Sequence, residues 1–168
     1  MLNATSSSAK SVGISLMFGP PVLLRYVAKL AAVSAASSVA ITGGTVAISG
    51  TNAGTATIGA QTTNFNNMTT LTGSGTNTLT TSASGNATYT LTSAGTGSLS
   101  GDYTASFSSF ESLQGVANDT LVISNSGANI TAALTDVGVG TVTISSATNV
   151  SGINNMTGGS GTTTLSVS

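Results

Sequence analysis

From residue 43 onward the chain is built of short stretches in which apolar residues alternate with Ser and Thr: TVAIS (45–49), TYTLT (88–92), TLVIS (120–124) and TVTIS (141–145). A period of two, rich in β-branched residues, predicts half-buried strands. Clusters of Gly, Asn and Ser interrupt them every few residues, which is the chemistry of turns.

These stretches recur with a long period. Phe65, Met68, Leu71, Gly73 and Leu79 lie 42 residues before Phe107, Phe110, Leu113, Gly115 and Leu121. A third copy keeps the three-residue spacing as Val150, Ile153 and Met156, then gains one residue before Leu165. The other half of the unit, NATYTLTSAGTGSL (86–99), matches NITAALTDVGVGTV (129–142) at an offset of 43. A fainter copy starts near Gly43, with Thr45, Ile48 and Gly54 standing 43 residues before Thr88, Leu91 and Gly97.

A unit of 42–43 residues with two dissimilar strand-rich halves predicts an all-β fold: a parallel β-solenoid (β-helix) over residues 43–168, two coils per unit. A four-stranded propeller blade also needs roughly 40–45 residues, but three copies do not close a ring of at least four blades. A two-sheet sandwich does not call for a constant 42-residue offset. The expected core is Leu71, Leu79, Leu91, Leu99, Leu113, Leu121, Ile123, Leu134, Val142, Ile144 and Leu165. The offsets further predict that Leu71, Leu113 and Met156 line one side of that core in register.

Residues 1–42 read differently. They hold all the basic residues, Lys10, Arg25 and Lys29, and both prolines. Val22, Tyr26, Leu30 and Val33 fall near one helical stripe, and Pro21 suits a first helical turn, so a helix is expected over about 21–38. Three roles fit this segment: an export signal ending at SVA (38–40), a cap on the open end of a coil stack, or a membrane anchor. Arg25 and Lys29 count against the anchor, because a span needs about 20 predominantly apolar residues.

Charge narrows the function. Only 4% of residues are charged, against about 25% in average globular chains, and mean hydropathy is +0.36. Stacked coils place equivalent residues about 4.8 Å apart, where like charges repel. A net charge of −1 offers no footprint for nucleic acid. The chain has neither Cys nor His, which excludes disulfides and thiolate sites and removes the commonest general base.

The stretches LTGSGTNTL (71–79), LQGVANDTL (113–121) and MTGGSGTTTL (156–165) resemble the glycine-rich nonapeptide of calcium-binding secreted repeats. The acidic position of that motif falls on Asn77, Asp119 and Thr163, so Asp119 alone keeps a carboxylate. Calcium takes six to eight oxygens, and the copies stand about 42 residues apart rather than in tandem. Asp119 is therefore expected to bond local backbone in a turn, with no metal, catalytic or cofactor site elsewhere. It remains the one candidate ligand position. The glycines after Leu71, Leu113 and Met156 are expected to permit turns.

The longer pattern, F-x-x-[FMI]-x-x-L-x-G followed by [ND]-T-L, resembles repeats of very large bacterial exoproteins, the filamentous-haemagglutinin-like and autotransporter-like adhesins. The resemblance implies a secreted or cell-surface shaft that spaces or presents other modules. The expected function is a structural, adhesive repeat module without enzymatic activity. Its expected partners are copies of itself end-to-end or a longer parent chain, and glycans of a host or surface. Two alternatives stand beside it. A solenoid carbohydrate-active enzyme needs paired acids, and among Asp102, Glu111, Asp119 and Asp136 the pair expected to be neighbours is Asp119 with Asp136, 17 residues apart and so close to one coil. An ice-binding solenoid needs a regular array of Thr-x-Thr, and the pairs at 55–57, 78–80, 88–90, 90–92 and 141–143 look irregular relative to one coil. The N-x-[ST] sequons at Asn67, Asn86, Asn118, Asn129 and Asn155 are what so Asn- and Thr-rich a chain contains by chance.

Overall fold

A computed structural model shows an all-β solenoid of about four turns. It describes residues 2–7, 11–16, 30–31, 37–82, 85–124 and 129–167, with side chains from Ser37 onward. Four long strands carry the fold: β4 (Ser38–Gly50), β7 (Thr70–Thr81), β11 (Ser112–Ile123) and β14 (Ala147–Thr157). Before them come β1 (Leu2–Ser7), β2 (Ser11–Leu16) and β3 (Leu30–Ala31). Between them lie β5 (Ala53–Ile58) and β6 (Gln61–Asn66), then β8 (Ala87–Ser93), β9 (Thr96–Gly101) and β10 (Ala105–Ser108), then β12 (Ile130–Asp136) and β13 (Val139–Thr143). The last strand is β15 (Thr163–Val167).

Each long strand serves two hydrogen-bonded ladders, one with each half. The first ladder runs β2, β4, β7, β10, β9, β8, β11, and can be followed through Ile14, Val39, Leu71, Phe107, Gly97, Leu91 and Ile123. The second passes from β4 through β7, β11, β14, β13 and β12 to β15, along Val46, Leu79, Leu113, Val150, Gly140, Leu134 and Val167. The strands cross between ladders where regular pairing is interrupted. The β4–β7 register shifts between Thr42 and Gly44, and the β11–β14 register shifts on both sides of Asp119. Such bulges bend a strand and increase its twist.

The sequence period is a period of pairing. In each unit a strand, its hairpin return and a third strand form an antiparallel meander: Ile48–Gly54–Phe65, Leu91–Gly97–Phe107, Leu134–Gly140–Val150. In each unit the same parallel contacts then follow: Val46 with Leu79, Tyr89 with Leu121, Ala132 with Leu165, and Val39 with Leu71, Leu79 with Leu113, Leu121 with Met156.

One register expectation is overturned. Leu71, Leu113 and Met156 do not stack on one another. Leu71 lies in the first ladder between Val39 and Phe107, Leu113 in the second between Leu79 and Val150, and Met156 returns to the first beside Leu121. The meander is the reason. It occupies three lanes of one ladder, so the next long strand begins on the other, and equivalent positions alternate between ladders. From β4 onward the parallel strand pairs stand 32 to 37 residues apart in sequence rather than 42, the isolated parallel bridge between Thr51 and Thr104 lying outside them.

Two sets of positions explain why the period is so strict. A Cβ on Gly54, Gly97 or Gly140 would meet the carbonyl oxygen of Ala47, Thr90 or Ala133 at 2.2, 1.9 or 2.2 Å, so only glycine lets the hairpin strands close. At the hairpin tips Asn52, Gly95 and Gly138 adopt φ of 55, 58 and 65°, a left-handed conformation that favours Gly and Asn. Their carbonyls accept the amides of Met68, Phe110 and Ile153 at 2.9, 3.0 and 3.3 Å. That fixes the middle residue of the F-x-x-[FMI] motif, which is buried in all three copies. After Leu71, Gly75 takes a left-handed φ of 74° as a turn glycine does, whereas Gly73 and, after Leu113, Gly115 act by close approach. A Cβ on Gly73 would lie 2.4 Å from Ser109 O, and one on Gly115 would lie 2.9 Å from an Asp119 oxygen.

A single apolar core runs between the ladders. Nine of the eleven expected residues are buried there: Leu71, Leu79, Leu91, Leu99, Leu113, Leu121, Ile123, Val142 and Ile144. Leu134 is only half-buried, and Leu165 is 59% exposed. Leu165 lies in β15, beyond which no strand pairs among the described residues, and Leu134 lies beside it in β12, with the exposed Val167 as its outer neighbour. Rings fill the middle, with Phe107 edge-on to Tyr89 and Phe110 at centroid distances of 6.5 and 6.4 Å.

The segment expected as a helix is not helical where it is described. Leu30–Ala31 pairs in parallel with Phe65–Asn66, and Ser38 opens β4. Ser38–Ile41 alternates with a period of two in burial, and that pattern belongs to the strand. Residues 21–29 and 32–36 lie outside the described residues, as do most positions on which the signal, cap and anchor readings rest. β4 runs without a break through residues 42 and 43. Among the described residues no helix is long and apolar enough to cross a membrane.

Candidate functional site

The bulge in β11 turns Asp119 into the core. Asn118 takes φ 90° beside it, and the chain swings inward so that Asp119 is fully buried. Its Oδ1 accepts the Ala87 amide at 2.6 Å, and its Oδ2 accepts Thr81 Oγ1 and the Val116 amide, each at 2.9 Å. Tyr89 Oη donates to Gln114 O at 2.9 Å and lies 3.3 Å from Thr81 Oγ1. Burial pushes the Tyr89 phenol well above its usual range. The Thr81 bond offsets part of that, and the nearby Asp119 charge adds to it.

Three donors on one carboxylate are what a buried charge requires in place of water. Asp119 thus ties together β7, the start of β8 and its own strand. Only one of the three donors is local, so the expectation of a turn bonded to nearby backbone captures the Val116 contact and misses the other two.

The equivalent positions have diverged. Asn77 is buried at the corresponding bulge in β7. Its Nδ2 donates to Gly75 O at 2.8 Å and to Glu111 Oε2 at 3.4 Å, and its backbone amide donates to the same Glu111 oxygen at 2.9 Å. A carboxylate is therefore supplied to this unit from the neighbouring coil. Thr163 is exposed at the start of β15.

The other acids are surface groups, each holding a backbone amide. Asp102 accepts Asn86 N at 2.9 Å and Asp136 accepts Val137 N at 2.7 Å. Asp119 and Asp136, the expected pair, are separated by burial: one is enclosed, and the other is exposed at the end of β12. Among the described residues no group of three or more Asp, Glu, His or Cys comes together.

No protein-family model, no curated protein and no solved structure matches this chain.

The folded register reveals a feature that linear spacing hid. On the outer face of the second ladder, Thr57, Thr45, Thr78, Ser112, Asn149 and Thr141 fall into one cross-strand row. Thr62 extends the row beyond Thr57, and the two hydroxyls bond at 3.0 Å; across the first ladder Thr42 Oγ1 and Ser74 Oγ bond likewise at 3.0 Å. Three of the five Thr-x-Thr pairs, 55–57, 78–80 and 141–143, contribute one threonine each to this row, while the pairs at 88–90 and 90–92 lie in β8 on the first ladder. The row carries no charge.

Proposed function

We propose that this chain is a structural repeat module of a secreted or cell-surface protein, a neutral shaft that spaces other modules and adheres through its hydroxyl-lined faces. The observation that carries the reading is the recurrence of one pairing scheme from unit to unit. A unit that buries its core and satisfies its backbone against the unit before it lengthens a rod without any new contact type. The uncharged outer row supports adhesion to neutral glycans, which such a face meets through hydroxyl and amide hydrogen bonds. The dispersed acids, each occupied in holding backbone amides, support a role without catalysis. Copies joined end-to-end, or a longer parent chain, would extend the same rod.

Antibody labelling of intact producing cells tests the location, and brief external proteolysis should abolish the signal. A protein seen only after lysis contradicts it. Retention on insoluble neutral polysaccharide, reduced by Thr78→Glu on the outer row, tests adhesion. The aligned hydroxyls also favour a second reading, ice binding. Thermal hysteresis in the purified protein without polysaccharide retention would select it.

A further inference from the structure

At the bulges of β7 and β11 one carboxylate and one carboxamide stand together, and the two corners assign them in opposite order. In β7 the inward residue is Asn77, and Glu111 comes to it from the next coil. Its Oε2 accepts the Asn77 backbone amide at 2.9 Å and Asn77 Nδ2 at 3.4 Å. In β11 the inward residue is Asp119, and Asn154 stands where Glu111 stands in the first corner. Ser112 pairs with Thr78 and Asn155 with Thr120, so the residue before each, Glu111 or Asn154, falls at the bulge of the neighbouring strand. Asn77 and Asp119 are both buried, while Glu111 and Asn154 are both exposed at the rim. Two of the chain's four acids are placed in these corners.

Apolar contacts alone do not fix which coil lies on which. Leu79 meets Leu113, and Leu121 meets Met156 at the same repeat position, and these partners are similar in size. The corners are not interchangeable. Asn154 stacked on Asn77 would bring no carboxylate, and the Asn77 amide would lose its acceptor. Glu111 stacked on Asp119, as when a coil is borrowed from a second copy, would bring two carboxylates together, one of them buried. A buried donor without an acceptor and a buried charge beside a like charge are both costly.

We infer that this exchange of acid and amide is a recognition element between coils, which accepts the next unit in sequence and refuses one out of order. Near-identical repeats need such an element, because a slip by a whole unit leaves their period-two pattern intact. The inference goes beyond the role as a shaft and does not depend on where the module is displayed.

Guanidinium unfolding of the full chain, read by circular dichroism, tests it. Asn154→Glu changes an exposed side chain and leaves the core as it is. In the wild type it should lower the unfolding midpoint, since a second carboxylate then faces Asp119. In Asp119→Asn the same substitution should raise the midpoint, because it rebuilds the pairing of Asn77 with Glu111. The first corner gives an independent reading, which decides alone if Asp119→Asn does not fold. Glu111→Gln should lower the midpoint of the wild type and raise that of Asn77→Asp. A reversal of sign is the mark of recognition, since a side chain acting by itself gives the same sign in both backgrounds. The same sign in both backgrounds at either corner, or a wild-type midpoint for Asn154→Glu alone, would overturn the inference.

Discussion

Asp119→Ala should be the most damaging single polar substitution in the molecule. It removes the only acceptor of the Ala87 amide at 2.6 Å and leaves Thr81 Oγ1 and the Val116 amide without theirs. A buried donor stripped of its acceptor costs about 1–3 kcal/mol. The Ala87 amide bears that in full. Thr81 can turn towards Tyr89 Oη, 3.3 Å away, and the partly buried Val116 amide can take water. The sum is a loss of about 3–5 kcal/mol, a large share of the ~5–15 kcal/mol that holds a typical domain folded. Asp119→Asn keeps one acceptor oxygen and should cost about half as much, since Asn77 occupies the equivalent bulge with its amide donating to Gly75 O. Guanidinium unfolding read by far-UV circular dichroism gives both values, with an unchanged slope against denaturant. A loss below about 1 kcal/mol for Asp119→Ala would refute the reasoning. So would calcium that stabilises the wild type but not this variant, since Asp119 would then be a ligand rather than a tie between strands.

Leu121→Ala and Leu165→Ala remove the same side chain at the same repeat position, one buried and one 59% exposed. The first should cost about 2–5 kcal/mol and the second less than ~0.5 kcal/mol in monomeric protein by the same unfolding assay. Gly97→Ala places a Cβ 1.9 Å from Thr90 O. It should destabilise by more than about 2 kcal/mol and raise hydrogen exchange across β8 and β9 above the rest of the chain. The raised phenol of Tyr89 gives an alkaline limit. The unfolded chain ionises near the ordinary 10.0 while the folded phenol stays neutral, so its contribution is complete below pH 10.0 and is lost as pH rises beyond it. Stability measured from pH 9 to about 11 should fall less steeply in Tyr89→Phe than in the wild type.

The period was legible because sterics enforce it. Gly54, Gly97 and Gly140 face carbonyls too close for any side chain, and Asn52, Gly95 and Gly138 sit where few other residues are comfortable. The inward Leu and Ile positions followed from alternation. The alternation of ladders did not, since parallel and antiparallel neighbours share the period of two and the pattern names no partner. Hence Leu71, Leu113 and Met156 looked like one row although they occupy both ladders. Leu165 looked like core for a similar reason: its pattern is that of Leu121, which has Met156 of β14 beside it, whereas among the described residues Leu165 pairs with Ala132 alone. Asp119 stood out as the one acid among equivalent turns, but its partners Thr81 and Ala87 are 38 and 32 residues away. The helix expected over about 21–38 rests on a stripe from Val22 to Val33 and meets β4 at Ser38, where Ser38–Ile41 already alternates as a strand.

The central claim is that neighbouring coils meet 32 to 37 residues apart while the sequence repeats every 42 or 43. The chain has no cysteine, so paired substitutions test this directly. Thr78 and Ser112 are register partners on adjacent strands, whereas Thr70 and Ser112 occupy equivalent repeat positions in different ladders. Thr78→Cys with Ser112→Cys should form an intramolecular disulfide on mild oxidation, and Thr70→Cys with Ser112→Cys should remain reduced. The reverse outcome, a bond between 70 and 112 and none between 78 and 112, would contradict the account.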